Sequence, residues 1–73
     1  MPEIKIVTEI AGRICATPVQ VGAIVTDGDD VVVVEAMKME IPVPAPASGT
    51  LTSLLVKIDD LVAEGQTIAI VAG

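Results

Sequence analysis

Hydrophobic and polar residues alternate along short stretches of this chain, and Gly, Asp and Pro separate the stretches. A period of two is typical of half-buried strands, whereas an amphipathic helix would repeat its apolar residues about every 3.6 positions, which no window does. The pattern therefore predicts an all-β chain. We expect its strands at residues 3–7, 13–20, 23–26, 31–36, 40–44, 50–57, 60–63 and 67–72.

The second half of the sequence repeats the first at a shift of 37 residues without a gap. Gly12 aligns with Gly49 and Gly28 with Gly65, and apolar positions match between these glycines. Two units are too few for a solenoid, which stacks three or more repeats. The repeat predicts a small closed barrel or sandwich with two-fold related halves. Its chain ends should be neighbours, at the end of the molecule opposite Lys38.

A tight hairpin is predicted between the strands at 31–36 and 40–44, with Met37 and Lys38 near its tip. Two-residue hairpins prefer Asn-Gly or Gly-Gly, because a type I′ turn needs positive φ at both central residues. Met-Lys departs from this preference, and local rules tend to fail at functional sites. Since methionine adapts to varied surfaces, Lys38 between Met37 and Met39 is the candidate functional residue. The alternatives are a solvated turn lysine and core methionines.

Three prolines occupy alternate positions after this hairpin, at Pro42, Pro44 and Pro46. Alternate residues of an antiparallel strand direct their backbone groups to the same side, so that side lacks N–H donors. We therefore expect an edge strand, or a strand that leaves its ladder here, with Ile41 and Val43 facing the core.

Composition argues against an enzyme and against a nucleic-acid ligand. The formal net charge is −6, and an acidic surface repels phosphate. The chain has no His, so the usual general base is missing and no Ser-His or Cys-His pair can form. Carboxylates alone would have to hold a metal, and none are spaced as a ligand series. We expect no catalytic residue, no metal site and, from the short apolar runs, no membrane span.

The remaining polar residues have structural interpretations. Cys15 is the only cysteine, which fits a reducing cytoplasm, and it aligns with Thr52 as a small strand residue. The acidic pairs at 29–30 and 59–60 are interpreted as turn acids rather than a cation site.

Residues 35–40, with the sequence Glu-Ala-Met-Lys-Met-Glu, resemble the biotin attachment motif, whose core is Ala/Ser-Met-Lys-Met. The chain past Lys38 is also similar in length to that of biotinyl domains, and the resemblance spans nearly the whole chain. It departs from the family at Ala11-Gly12, where Pro-Gly is usual, and at Gly22-Ala23, where Gly-Asp is common. The residues assigned to recognition around Lys38 are Glu35, Ala36, Met37, Met39 and Glu40. The alternative for Glu35 and Glu40 is that they are solvated charges beside the hairpin.

The resemblance implies one biotinyl domain over residues 1–73, built as a flattened barrel of two four-stranded antiparallel sheets. It implies that a biotin protein ligase attaches biotin covalently to Lys38. A biotin carboxylase would then load CO2 as carboxybiotin, and a carboxyltransferase would pass it to an acceptor, as in the acyl-CoA and acetyl-CoA carboxylases of fatty acid biosynthesis. On this interpretation the chain is a cytoplasmic carrier subunit, monomeric in isolation, with no catalysis of its own.

Three other interpretations remain open at this point. A lipoyl domain has the same fold and presents a lysine at the same tip, although Asp usually precedes that lysine and Ala follows it. An unmodified interaction module would dock partners without carrying any group. A small enzyme would need a nucleophile and a base that this composition does not offer.

Overall fold

The computed structural model describes residues 2–73, and this part of the chain forms two four-stranded antiparallel sheets. The all-β expectation is confirmed. The strands are β1 (Glu3–Val7), β2 (Gly12–Ala16), β3 (Ile24–Val25), β4 (Asp30–Ala36), β5 (Met39–Pro44), β6 (Gly49–Leu54), β7 (Leu61–Val62) and β8 (Thr67–Ala72). Within residues 2–73, no helix has the length and apolar character needed to cross a membrane.

One sheet has the strand order β1-β8-β6-β3 and the other β5-β4-β2-β7. The inward-facing residues of both sheets form one core of β-branched and small side chains. Its fully buried members include Ile6, Ile14, Val34, Leu51 and Val71. Because alternate residues of each strand point inward, the intervening polar residues are left on the outer faces.

The two halves of the repeat pair their strands in the same register. Arg13 of β2 pairs with Glu35 of β4, and 37 residues later Thr50 of β6 pairs with Ala72 of β8. The β1–β8 ladder matches the β5–β4 ladder in the same way, including the position of its register shift. The predicted two-fold relation between the halves is therefore confirmed.

The chain ends are neighbours, as predicted: the Gly73 amide donates a hydrogen bond to the Pro2 carbonyl at 3.2 Å. β1 runs away from this point to Val7 and connects to β2, where Arg13 pairs with Glu35 beside the β4–β5 hairpin. The ends therefore lie opposite the hairpin. Met1, which the symmetry relates to Lys38, falls outside the described residues.

Four predicted strands are too long. β2 and β6 end well before the limits of the predicted stretches 13–20 and 50–57. The apolar pattern overestimated the length of β2 and β6 because Val19 and Val56 pack on the core although they lie outside the ladders. The predicted strands at 23–26 and 60–63 likewise shrink to the residue pairs of β3 and β7.

The edge-strand prediction is confirmed, since β5 lies at the edge of its sheet. Val43 is buried and Ile41 is half-buried, whereas Pro42, Pro44 and Pro46 are exposed. Proline is tolerated here because an edge strand pairs on one side only.

Candidate functional site

The β4–β5 hairpin closes with the pair Ala36–Met39, which leaves Met37 and Lys38 as a two-residue turn. Their φ angles are 52° and 63°. Positive φ at both central residues defines the type I′ geometry, whose twist matches that of the flanking strands. A left-handed conformation costs an L-residue with a side chain roughly 1–2 kcal/mol. The hairpin predicted from sequence is confirmed, and it places two unfavourable residues at one tip.

The side chains of this turn face solvent. Met37 is 92% exposed and Met39 is 63% exposed, so the alternative of core methionines is wrong. Lys38 is also exposed. In residues 2–73, the hydrogen bonds and ion pairs of the side chains do not include the Lys38 amine. The turn therefore presents a primary amine flanked by two thioethers.

The next pair below the turn brings two like charges together, because Glu35 of β4 lies directly opposite Glu40 of β5. Like charges at facing positions destabilise an antiparallel pair. Glu35 is not simply solvated: its Oε1 accepts a hydrogen bond from Arg13 Nη2 at 2.8 Å. Ala36, between Glu35 and the turn, is half-buried.

Arg13 joins a second carboxylate through its other terminal nitrogen, since Nη1 donates to Asp59 Oδ1. The hydrogen bond to Glu35, followed by that to Asp59, raises the pKa of Arg13 above its usual value. Asp59 has a φ of 78° and is the one described non-glycine residue besides Met37 and Lys38 at positive φ. Arg13 was not predicted from the sequence as part of the site. The sequence does contain one sign of its role, because Arg13 is charged whereas the residue aligned with it in the other half, Thr50, is neutral.

Cys15 plays the structural part predicted for it. It is half-buried on β2, and its thiol lies 3.4 Å from the Val33 carbonyl oxygen. Its repeat partner Thr52 makes the corresponding hydrogen bond to the Ile70 carbonyl at 3.2 Å. The same geometry in both halves indicates a side chain that ties neighbouring strands together.

One member of each acidic pair, Asp29 or Asp60, is a turn acid as predicted, whereas Asp30 begins β4 and Asp59 binds Arg13. Asp29 accepts a hydrogen bond from the Thr26 amide, and Asp60 accepts one from the Lys57 amide. Among residues 2–73, no three His, Cys, Asp or Glu side chains cluster as a metal site would require.

A mainly apolar groove of about 510 Å³ lies between the edge strands β1 and β5. Its lining includes Ile6, Ile10 and Val43 but none of residues 35–40. The candidate lysine is therefore displayed on a protruding turn rather than enclosed in a pocket, a geometry suited to modification by another protein.

Comparison with known proteins agrees with this geometry. The family described as "Biotin-requiring enzyme" matches residues 1–71. The biotinylated protein TB7.3 homolog of Mycobacterium leprae is 34% identical over 64 residues, which cover 88% of this chain and 90% of that protein. The biotin-dependent acyl-coenzyme A carboxylase alpha3 subunit of the same organism is 41% identical over 58 residues, covering 80% of this chain and 10% of the subunit.

The fold is also that of a solved carboxylase. The crystal structure of the Kluyveromyces lactis urea carboxylase superposes with a TM-score of 0.93 and 33% identity, covering 99% of this chain and 6% of the enzyme. The chain likewise spans only 4% and 10% of the length of two further curated relatives. The match over nearly all of its residues shows that this chain belongs to the family of biotin-requiring enzymes.

Proposed function

We propose that the chain is a biotin carboxyl carrier and that Lys38 is the residue to which biotin is attached. The observation that carries the proposal is the exposed Lys38 amine on a strained type I′ turn between two exposed methionines. A primary amine is the group that forms an amide with a carboxylic acid. Because no described side chain binds this amine, it fits the attachment chemistry without rearrangement.

Attachment joins the Lys38 nitrogen to the carboxyl carbon of biotin. The deprotonated amine attacks the carboxyl carbon, which the ligase has activated with ATP. The activating group then departs, and the nitrogen loses one of its two protons, so the resulting amide keeps one N–H. The positive charge of Lys38 is thereby lost, and the side chain becomes part of a long arm. When bound, biotin supplies a ureido nitrogen that takes up and releases CO2.

The residues of this chain hold and present the arm rather than catalyse transfer. The chain has no His to act as a general base. The side chains of the turn are exposed to solvent, so the turn does not enclose the arm. Partner enzymes must therefore supply activation and exclude water. Tethering the arm to a small domain raises its local concentration at two successive active sites.

One relative is named a biotin-dependent acyl-coenzyme A carboxylase subunit, which supports a carboxylase as the setting of this carrier. We assign a biotin protein ligase, a biotin carboxylase and a carboxyltransferase, with an acyl-CoA as the acceptor, as in the related acyl-coenzyme A carboxylase subunit. We further propose that residues 1–73 form one biotinyl domain, that it is monomeric in isolation, and that it acts in the cytoplasm. Its net charge of −6 favours docking on basic surfaces of these enzymes.

The second candidate is lipoyl attachment, which would use the same lysine. Met37 and Met39 favour biotin, because lipoyl domains usually place Asp before the lysine and Ala after it. Biotin and lipoate add different masses, so an intact mass spectrum of the protein isolated from its own cell distinguishes the two.

The direct test is incubation of the purified chain with biotin, ATP and a biotin protein ligase, followed by intact-mass measurement. We expect one biotin per chain, and none in Lys38→Arg. Lys5 and Lys57 remain in that variant as internal controls. Because Lys38 is exposed, the melting temperature of the Lys38→Arg variant should match that of the wild type. Biotin on Lys38→Arg would overturn the assignment.

A further inference from the structure

An ionic network lies at the base of the hairpin, on the outer face of the sheet. Arg13 on β2 bridges Glu35 on β4 and Asp59 in the turn between β6 and β7. Each terminal nitrogen of the guanidinium donates a hydrogen bond to one of the two carboxylates. Such a fork holds its partners in a defined orientation, which a single point charge does not. Three separate segments are thus tied together one residue pair below the turn that carries Lys38.

The internal repeat provides a control for what the fold itself requires. The two halves have the same pairing register, yet the three positions of the network differ between them. The residues that the repeat relates to Arg13, Glu35 and Asp59 are Thr50, Ala72 and Gly22, respectively. The equivalent strands at the far end therefore pair without a counterpart of this network. Among residues 2–73, the ion pairs lie at the Lys38 end.

Asp59 carries a backbone cost that its counterpart avoids. Both residues have positive φ, 78° at Asp59 and 96° at Gly22. Glycine adopts this conformation freely, whereas Asp does so only with some strain. The fold accepts glycine at this position, as the other half demonstrates. The feature that Asp59 adds is its carboxylate, which binds Arg13.

The same network acts on the charge pair below the turn. Glu35 and Glu40 repel each other at facing positions. Arg13 offsets the charge of Glu35 and fixes its side chain on the outer face. The base of the strained hairpin is thereby held closed, which limits the range of directions that Lys38 can take.

We propose that Arg13 is a positioning residue for biotin attachment. Through Glu35 it fixes the base of the hairpin that presents Lys38 to the ligase, and Asp59 holds Arg13 in place for this task. The inference rests on the proposed function, since it concerns the step in which the ligase engages the unmodified chain.

The test measures initial rates of biotin incorporation against chain concentration, with a purified ligase that modifies the wild-type protein. For Arg13→Thr, which installs the residue of the other half, we expect KM to rise about three- to tenfold, with kcat within about twofold. Arg13→Lys should lie between this variant and wild type. Adding Glu35→Ala to Arg13→Thr should cause no further loss, because the two residues act through one contact.

Asp59→Gly separates positioning from stability. This substitution relieves the positive φ, so its melting temperature should equal or exceed that of wild type. Its KM should nevertheless rise, because Arg13 loses one of its two anchors. Lys5→Thr is the matched control: it removes one positive charge from an exposed strand position outside the network. It should leave both kinetic constants unchanged.

Three results would overturn the inference. They are a wild-type kcat/KM for Arg13→Thr, an equal loss in Lys5→Thr, and additive losses from Arg13→Thr and Glu35→Ala. Failure of the proposed function gives a different result, because the wild-type chain would then incorporate no biotin at Lys38.

Discussion

Gly12 and Gly49 make the same close approach in the two halves of the molecule. A Cβ on Gly12 would collide with the carbonyl oxygen of Glu35, and a Cβ on Gly49 would collide with that of Ala72. In both cases the obstacle is backbone, which cannot turn aside as a flexible side chain could. Glycine is required here by the space between neighbouring strands and not by φ.

Gly12→Ala and Gly49→Ala should therefore destabilise the fold by similar amounts, about 1–3 kcal/mol each. Urea denaturation of both variants measures this. Their effects on biotin attachment should differ, because only Gly12→Ala displaces the Glu35 backbone beside the hairpin. At equal folded fraction, ligase kcat/KM should fall for Gly12→Ala and stay normal for Gly49→Ala. Equal kinetics in the two variants would show that the hairpin base tolerates displacement.

Met37→Asn should stabilise the chain. Asn adopts the left-handed conformation more easily than Met, and it is favoured at the first position of a type I′ turn. We expect a gain of about 0.5–1 kcal/mol in the free energy of unfolding. The contact that Met37 offers to partner enzymes is lost, so carboxylation turnover of the biotinylated variant should fall. A variant that is both more stable and fully active would mean that Met37 serves no partner.

Met37→Leu and Met39→Leu test the same point without altering the turn. Both methionines are largely exposed, so these substitutions should change stability by no more than about 0.5 kcal/mol. Both variants should still accept biotin. Turnover with the partner carboxylase should fall by more than the change in melting temperature explains. Biotin content, melting temperature and carboxylation rate are measured on the same preparations, and normal turnover per biotinylated molecule would contradict a role in recognition.

The prolines of β5 should protect the chain from self-association. The Ala36–Met39 pair closes the turn, and alternation from there places the backbone groups of Pro42 and Pro44 on the outer edge. Replacing both prolines with Val restores two N–H donors to an unpaired edge strand. We expect dimers or larger species by light scattering, whereas we expect the wild type to remain a monomer. Pro46→Val is the control, because Pro46 lies beyond β5 and should leave the mass unchanged.

The sequence predicted the eight strands and the hairpin because each is set by local patterns. Val43 and Leu51 follow the two-residue alternation that one buried face imposes, and the paired glycines of the repeat mark equivalent turns and close approaches. Strand ends were harder to place. Val56 is buried and Val19 is partly buried, although neither belongs to a ladder. Their apolar character therefore indicated packing on the core and not backbone pairing.

The part of the site that the sequence did not predict is set by contacts between distant segments. Arg13 meets Glu35 because β2 and β4 are neighbours, and it meets Asp59 because the turn before β7 folds over β2. No local rule brings these residues together. Lys38 was identifiable because its turn violates a local preference, whereas an ion pair across strands leaves no such trace in the sequence.

Pro2 and Gly73 lie together at the end of the molecule opposite Lys38, so a domain held at either residue would rotate as a rigid body about that end. β4 alone has seven residues and spans roughly 20 Å at about 3.3 Å per residue. A tether attached at either Pro2 or Gly73 would act as a pivot at the far end. Rotation about that pivot sweeps Lys38 through an arc with a radius of at least the strand length. The reach of the arm is then the sum of the linker, the body of the domain and the modified side chain.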